Sequence, residues 1–481
     1  MMWDTVIGLE VHVQLLTKSK LFSDSTHAFG ALPNTQTSFL DAGFPGTLPV
    51  LNAAAVHMGI RFGLAVGATI QSESVFERKN YFYPDLPKGY QISQFQQPIV
   101  TDGFLSIRVG ADEPQSIHIV RAHLEEDAGK SLHGVLPGYT GIDLNRAGSP
   151  LLEIVTAPCL HSAAQALAYL KTLHQLVMFL GICDGNMQEG SFRCDVNISL
   201  KPAGSPNLGV RTEIKNLNSF RFIEKAILFE QQRHQQILEQ GGMLVPETRL
   251  YDADANCTRS MRNKEQEPDY RYFPDPDLLP LVLDTHLIDT IKQKMPPLPW
   301  EIREALLQTV ELNADEIQFL LSHPATYSFY EEVKNHTTAP EKIIINWLKG
   351  IYASALNEEA CDFSKPKIPA AVLGQLLDKV QTKKLLLNQA RAVFHHLWTS
   401  NKSLEEIITE QGFDKEVLGK EQVWSLIQQL MLEFPEQAAD YAAGKEKLSS
   451  FFIGQLMKRT QGHANPEQVG TMLREYLSTL K

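Results

Sequence analysis

The chain has 481 residues, too many for one hydrophobic core, so about two to four domains are expected. Its composition, 43% hydrophobic and 21% charged, is that of a folded globular protein, and no run of about 18 apolar residues is available to cross a bilayer. The net charge of −12 argues against nucleic-acid binding by the chain as a whole. Charge is segregated, however: from Gly444 to Lys481 six Lys and Arg stand against three Glu. Five scattered cysteines, without a C-x-x-C pair, argue against a disulfide framework or a cysteine zinc site and suit a reducing cytosol. The opening "MMWDTVIGLEVHVQL" lacks the basic-then-apolar pattern of a signal peptide, so a cytoplasmic protein is expected.

In chain order, the first predicted strand is "TVIGLEVHVQL", where Ile7, Leu9, Val11 and Val13 line one face and Glu10, His12 and Gln14 the other. Segment 76–95, "FERKNYFYPDLPKGYQISQF", brings Arg78, Lys79 and Lys88 among aromatics, and its Pro and Gly predict a structured loop. Next, "IHIVRAHLEED" carries Glu125 and Glu126 to a strand end. The stretch that continues it, "HLEEDAGKS", looks like the end of a phosphate-binding loop. Such a loop needs a glycine five positions before Gly129, and Leu124 stands there. Gly129, Lys130 and Ser131 are expected to form the turn that ends the strand.

"SPLLEIV" contributes Glu153, and a helix is predicted over 162–180, stopping at Gly181. In "FRCDVNISL", Arg193, Asp195, Asn197 and Ser199 share a face opposite Cys194, Val196, Ile198 and Leu200. In "VRTEIKNL", Arg211, Glu213 and Lys215 do the same. A second helix, 219–240, follows Asn218 as N-cap and ends at Gly241-Gly242. Pro296, Pro297 and Pro299 mark a boundary after which helical periodicity dominates. Ser403 is placed to cap a later helix; Asn465 and Pro466 are placed as N-cap and N1 of the last one.

An antiparallel sheet with one wet face alternates in this way whatever it does. The residue types carry more information. Several strands put carboxylates, an imidazole and a few Arg and Lys on one surface, which suits Mg²⁺ and, through it, ATP phosphates. The fold class expected is α+β: an antiparallel-sheet cradle over 1–294, an all-α helical domain over 295–402 and a small α-helical tail domain over 403–481.

The motifs "VIGLEVHVQL", "ERKNYFYPDLPKGYQISQF", "HLEEDAGK", "DLNRAGSPLLEIVTAP", "MQEGSFRCDVNISL", "EIKNLNSF" and "DYRYFPDPDLLPL" together resemble those of one family. It is the B-subunit family of the glutamine-dependent aspartyl/glutamyl-tRNA amidotransferases, and the resemblance runs over essentially the whole chain. It implies ATP-dependent activation of the side-chain carboxyl of Glu-tRNA(Gln) or Asp-tRNA(Asn) as an acyl phosphate. Ammonia from glutamine hydrolysed in the glutaminase, or A-subunit, would then give the amide. A third, small C-subunit would tie the other two together.

Position by position, the resemblance places Glu10 and His12 at a metal and phosphate site, with Glu125, Glu126 and Glu153. His12 either ligates Mg²⁺ or orients a carboxylate, and the ligand role is carried forward. Asp195 and Glu213 match acidic positions of the same cavity, where Arg193 and Lys215 would contact ATP or acyl phosphate. Lys79 and Lys88 match residues of an ammonia path gated by Glu125, Lys79 also serving catalysis. Lys458 and Arg459 resemble a tail surface that meets tRNA. Many members hold zinc in the early loop with two cysteine pairs; here Ser23, Ser25, Ser38 and Asp41 occupy those places. No structural zinc is therefore expected, and packing should stabilise the loop. A non-catalytic tRNA-binding scaffold and a stand-alone metal hydrolase are the competing readings.

Overall fold

Strand β1 (Trp3–Gln14) sets the pattern of the N-terminal region. Ile7, Leu9, Val11 and Val13 are buried, while Glu10, His12 and Gln14 stay partly open on the opposite face. The computed structural model describes every residue except 1, 111, 262–268, 310–311, 414–418, 443–444, 446–447, 461–463, 465 and 480–481. It divides into two units, Met1–Ile302 and Arg303–Lys481.

In the first unit, β1 is followed by α1 (Ala53–Ala65), β2 (Thr69–Ile70), β3 (Glu73–Ser74), β4 (Glu77–Asn80) and β5 (Tyr90–Ser93). Next are β6 (Val100–Ile107), β7 (Gln115–Glu126), β8 (Lys130–Leu136), β9 (Tyr139–Asp143), β10 (Pro150–Thr156) and α2 (Ala163–Phe179). The unit continues with β11 (Phe192–Pro202), β12 (Thr212–Lys215), α3 (Phe220–Glu239), β13 (Glu247–Asp252) and β14 (Cys257–Ser260). It closes with β15 (Phe273–Pro274), β16 (Leu281–Val282) and α4 (Thr285–Gln293). Nine strands form one sheet, ordered β14-β13-β12-β11-β1-β10-β7-β6-β2. Its pairs are antiparallel except β12 with β13.

Helices α1, α2 and α3 cover the apolar face. Ile60 and Phe62, Leu170 and Leu173, and Ile223 and Ile227 join Ile7, Leu9 and Val11 in one core. Each such side chain contributes about 1.5–3 kcal/mol by leaving water. The face opposite carries the polar side chains, among them the buried His123, Glu125 and Glu153.

Local chemistry explains the helix ends. Ser162 caps α2 by accepting from the Gln165 amide, and Gly181 follows with φ +64°. For α3 the cap is Ser219, which accepts from the Phe222 amide, and not Asn218 as expected. Helices α1 and α4 are additions to the two helices expected in this part of the chain. The former is rich in Ala and Gly, and Gly63 has a packing reason: a Cβ there would lie 2.3 Å from Ile70 Cδ1.

Two further expectations need correction. Segment 76–95 is not only a loop, because β4 and β5 pair as a hairpin and β15 adds a third strand. Lys130 and Ser131 open β8, so that of the three only Gly129 lies between the strands, after Asp127 and Ala128. Gly129 is needed there for space: a Cβ would come within 2.9 Å of the carbonyl oxygens of both Asp85 and Asp143.

In the second unit all described elements are helical. Helix α5 (Pro299–Thr309) starts at the predicted proline boundary and runs into it. There follow α6 (Ala314–Leu320), α7 (Pro324–Asn335) and α8 (Glu341–Trp347), then a π-helical turn at Leu348–Tyr352 and α9 (Ala353–Glu358). Next come α10 (Ala370–Gln381), α11 (Leu387–Thr399) and α12 (Leu404–Glu410), the last with the expected Ser403 cap in a capping box with Glu406. The chain ends with α13 (Lys420–Glu433), α14 (Pro435–Ala442), α15 (Leu448–Arg459) and α16 (Pro466–Thr479). Val423, Ile427, Phe452, Leu456 and Leu473 form a core of their own. Pro466 opens the last helix as expected; Asn465, its expected cap, lies outside the described residues. Among the described residues no helix is long and apolar enough to cross a membrane. The α+β class is as read from the sequence.

Candidate functional site

Strand register assembles the site. His12 of β1 stands opposite Glu153 of β10 and Arg193 of β11, and Glu153 stands opposite His123 of β7. One row across four strands thus reads His123, Glu153, His12, Arg193. Two residues along β1, Glu10 is opposite Asp195, and beyond it Asn197 of β11 is opposite Glu213 of β12. Cross-strand partners on one face sit about 4.5–5.5 Å apart, which is why a few alternating strands suffice to gather these groups.

The result is two clusters. In the first, His12 Nε2 lies 3.4 Å from Glu125 Oε1 and 3.5 Å from Glu153 Oε2. His123 Nε2 lies 3.3 Å from Glu153 Oε2. In the second, Glu10, Asp195 and Glu213 bring carboxylate oxygens within 4.8 Å of one another. Asn197 Nδ2 donates to Glu10 at 2.9 Å, and Lys215 Nζ pairs with Asp195 at 2.6 Å and Glu213 at 2.8 Å. Glu10 was expected among the ligands of the first cluster. Residues i and i+2 share a strand face but are separated by roughly 6.6 Å along it, so Glu10 joins the next group instead.

Electrostatics mark both groups. Burial alone would lower the His12 pKa, but hydrogen bonding and charge from Glu153, with the charge of Glu125, raise it to about 9. Burial pushes the Glu153 carboxyl up; the charge of His123 and the bond to His12 more than reverse this and hold it well below its ordinary range. Glu10 is pushed up by burial and by the charges of Glu153, Asp195 and Glu213. A carboxylate disfavoured by three others would be relieved by a cation. The ligand sets, one imidazole with two carboxylates and three carboxylates, fit a hard divalent ion that keeps some water. Beside the first set, the buried His123 Nδ1 has no hydrogen-bond partner among the described residues.

Of the other expected residues, Lys79 borders the first cluster. Burial would lower its pKa, but Glu125 and Glu153 raise it, and its ammonium lies 5.1 Å from the Tyr270 ring. Glu126 turns away from Glu125, as neighbours on a strand must. It takes a hydrogen bond from Lys88 and another, at 2.9 Å, from the Ile92 amide, so Lys88 and Glu126 form a separate buried pair. Arg193 is tied to Asp127 at 2.7 Å. Lys458 and Arg459 are exposed in the last turn of α15, with Arg459 paired to Glu433.

In the early loop, Asp41 is buried and accepts from Lys20 Nζ at 2.9 Å and from the Ser38 amide at 2.9 Å, with Ser23 Oγ at 3.5 Å. A buried ion pair thus holds this loop, where packing alone was expected. His123 and Asp127 received no role from the sequence although both lie in "HLEEDAGKS". Period-two alternation places His123 on the same face as Glu125, the signal that could have found it. A cavity of about 770 Å³, lined among others by His27, Lys130, Arg146, Arg193, Asp195 and Asn216, opens beside the clusters.

Residues 5–289 match the family model of the GatB/GatE catalytic domain, and residues 328–477 match that of the GatB domain. The chain belongs to the GatB family. It is 59% identical over 477 residues to the B-subunit of the aspartyl/glutamyl-tRNA(Asn/Gln) amidotransferase from Legionella pneumophila strain Corby, covering 99% of this chain and all of that protein. Subunits of the same name from Nitrosococcus oceani and from Coxiella burnetii strain CbuG_Q212 are each 49% identical over 478 residues, with the same coverage. The carboxylates and imidazole of the two clusters are thus set on a fold shared with GatB proteins along nearly its whole length.

Proposed function

We propose that this chain is the ATP-dependent B-subunit of a glutamine-dependent tRNA amidotransferase, a ligase that forms a carbon–nitrogen bond. It acts on Glu-tRNA(Gln) or Asp-tRNA(Asn), in the cytoplasm, with the glutaminase (A) and linking (C) subunits. The observation that carries the reading is the pair of clusters on one polar sheet face. His12, Glu125 and Glu153 would hold one Mg²⁺, and Glu10, Asp195 and Glu213 a second. The ions, when bound, supply the positive charge that lets ATP phosphates approach a carboxylate-lined face.

The chain's own residues do the rest. Lys79 and Arg193, both kept charged by neighbouring carboxylates, favour charge on the transferred phosphoryl group. A side-chain carboxylate oxygen of the aminoacyl group bonds to the γ-phosphorus as its bond to the ADP oxygen breaks. Ammonia then attacks the acyl carbon and phosphate leaves. The aromatic neighbourhood of Lys79 (Tyr270, Tyr272, Phe95) and the buried Lys88–Glu126 pair limit water around the path by which ammonia enters, with Glu125 at its mouth.

A cavity of about 300 Å³ adjoins the second cluster, with Val6, Val155, Pro158 and Leu208 beside Glu10 and Arg211. Its apolar walls suit the nucleoside of ATP. The helical residues beyond the sheet unit serve tRNA, with 403–481 as a tail domain contributing Lys458 and Arg459 to the phosphate backbone.

Glu125→Gln in the reconstituted three-subunit complex tests this reading. It should abolish tRNA-dependent ATP cleavage while tRNA binding persists. Unchanged transamidation would sink it.

A further inference from the structure

A charge network with a fully buried carboxylate at its centre lies away from both clusters, behind the sheet. Glu230 of α3 is fully buried, as is His234 one turn on. Glu230 Oε2 accepts from Arg233 Nε at 2.8 Å and lies 3.4 Å from His234 Nε2; Glu230 Oε1 accepts from Thr258 Oγ1 and lies 3.0 Å from Arg249 Nε. Burial pushes this carboxyl up, but the bonds from His234, Arg233 and Thr258 bring it down to about 2. Glu230 therefore stays ionised at the hub.

From the hub, bonds reach β12, β13 and β14. Thr212 Oγ1 of β12 lies 2.8 Å from His234 Nε2 and accepts from Arg233 Nη2 at 3.3 Å. Glu247 of β13 pairs with Arg233 at 3.1 Å and with Arg249 at 3.0 Å. Arg249 Nη2 donates to the Thr258 carbonyl of β14 at 2.8 Å.

These strands need the help. Strand β12 has four residues, pairs with β11 over only Val196–Ile198, and meets β13 in the one parallel pair. Yet β12 presents Glu213 and Lys215 to the second cluster, and Thr248 of β13 donates to Glu213 Oε2 at 2.6 Å. Thr212, adjacent to Glu213, points the other way, into the network. Because side chains alternate, fixing Thr212 behind the sheet fixes Glu213 in front of it, and a one-residue slip would exchange them.

We propose that Glu230 is a positioning residue for the second carboxylate cluster: through Thr212, Glu247 and Thr258 it locks β12, β13 and β14 against α3 and so holds Glu213 in ligand geometry. This rests on the reading of Glu10, Asp195 and Glu213 as a metal site. A role in general stability alone predicts equal damage to both clusters; a positioning role predicts damage to one.

Mn²⁺ binding to the full chain, followed by the electron paramagnetic resonance of the free ion, separates these. In Glu125→Gln the second cluster is read alone, and adding Glu230→Gln should weaken its Mn²⁺ affinity about tenfold. In Glu10→Gln the first cluster is read alone, and adding Glu230→Gln should leave it unchanged. Thr212→Val cuts the link to β12 while leaving Glu230 paired with its arginines. It should weaken the second cluster in the same direction by a smaller factor, and it decides alone if Glu230→Gln does not fold. Equal weakening of both clusters, or an unchanged second cluster, overturns the proposal. Absence of Mn²⁺ binding in Glu125→Gln before any change at Glu230 would instead mark failure of the metal-site reading, and this inference would fall with it.

Discussion

The two clusters are close neighbours on one sheet face but are built in different ways. The first sits on β7, β10 and β1, where β10 pairs with β7 from Pro150–Glu126 to Thr156–Ile119 and with β1 from Gln14–Leu151 to Glu10–Val155. The register of these ladders sets His12 opposite Glu153. The second depends on β12, a short strand near the edge, and its geometry comes from side chains on both sides of the sheet. At β12, side-chain bonds add to register in placing the ligands.

The largest expected effect breaks the first cluster outright. Glu125→Gln should reduce tRNA-dependent ATP cleavage in the reconstituted complex to background, measured as phosphate release, since it removes one of the two carboxylates that face His12. Next in size is the early loop, held by the Lys20–Asp41 pair. Lys20→Met leaves Asp41 buried without its partner and should cost about 3–5 kcal/mol in urea unfolding, much of it recovered in Lys20→Met with Asp41→Leu. Failure of the double variant to recover would mean that the pair also shapes the loop.

A smaller effect probes the network behind β12. A carboxylate whose folded pKa is depressed adds stability that is present above its unfolded pKa and lost as pH falls through the folded one. For Glu230, lowered from 4.5 to about 2, that window lies between these values. Between about pH 5 and about pH 3 the parent chain should therefore lose more unfolding free energy than Glu230→Gln, as read by chemical denaturation. Parallel losses would remove Glu230 from the account of the sheet edge. The smallest effect concerns the tail: Lys458→Ala with Arg459→Ala should weaken tRNA binding by a few-fold and lower its salt slope by about two. Since Arg459 already pairs with Glu433, Lys458 should carry the larger share.

Much of this was legible beforehand. Alternation in "TVIGLEVHVQL" and "FRCDVNISL" named the buried and wet faces of β1 and β11, because a strand has a period of two whatever surrounds it. The prolines at 296–299 and Ser403 gave helix boundaries for local steric and hydrogen-bonding reasons. Less visible were contacts between distant segments. The hairpin of β4 and β5 is completed by β15, and Arg78 is held by Asp275 at 2.8 Å; nothing local in "FERKN" announces such a partner. Glu126, read as a neighbour of Glu125 at the metal site, pairs instead with Lys88.

By itself the sequence determined the two textures of the chain, the face on which each carboxylate lies, and, through its motifs, the GatB resemblance. All of these are properties of local periodicity and residue identity. Only the tertiary structure decided which carboxylates meet. Glu10 joins Asp195 and Glu213, while His12 joins Glu125 and Glu153, because grouping depends on strand order and register. Those are set by the core that α1, α2 and α3 bury against the far side of the sheet. In "HLEEDAGKS" alternation puts Glu125 and Glu126 on opposite faces, and only the tertiary structure supplies Lys88 as the partner of Glu126.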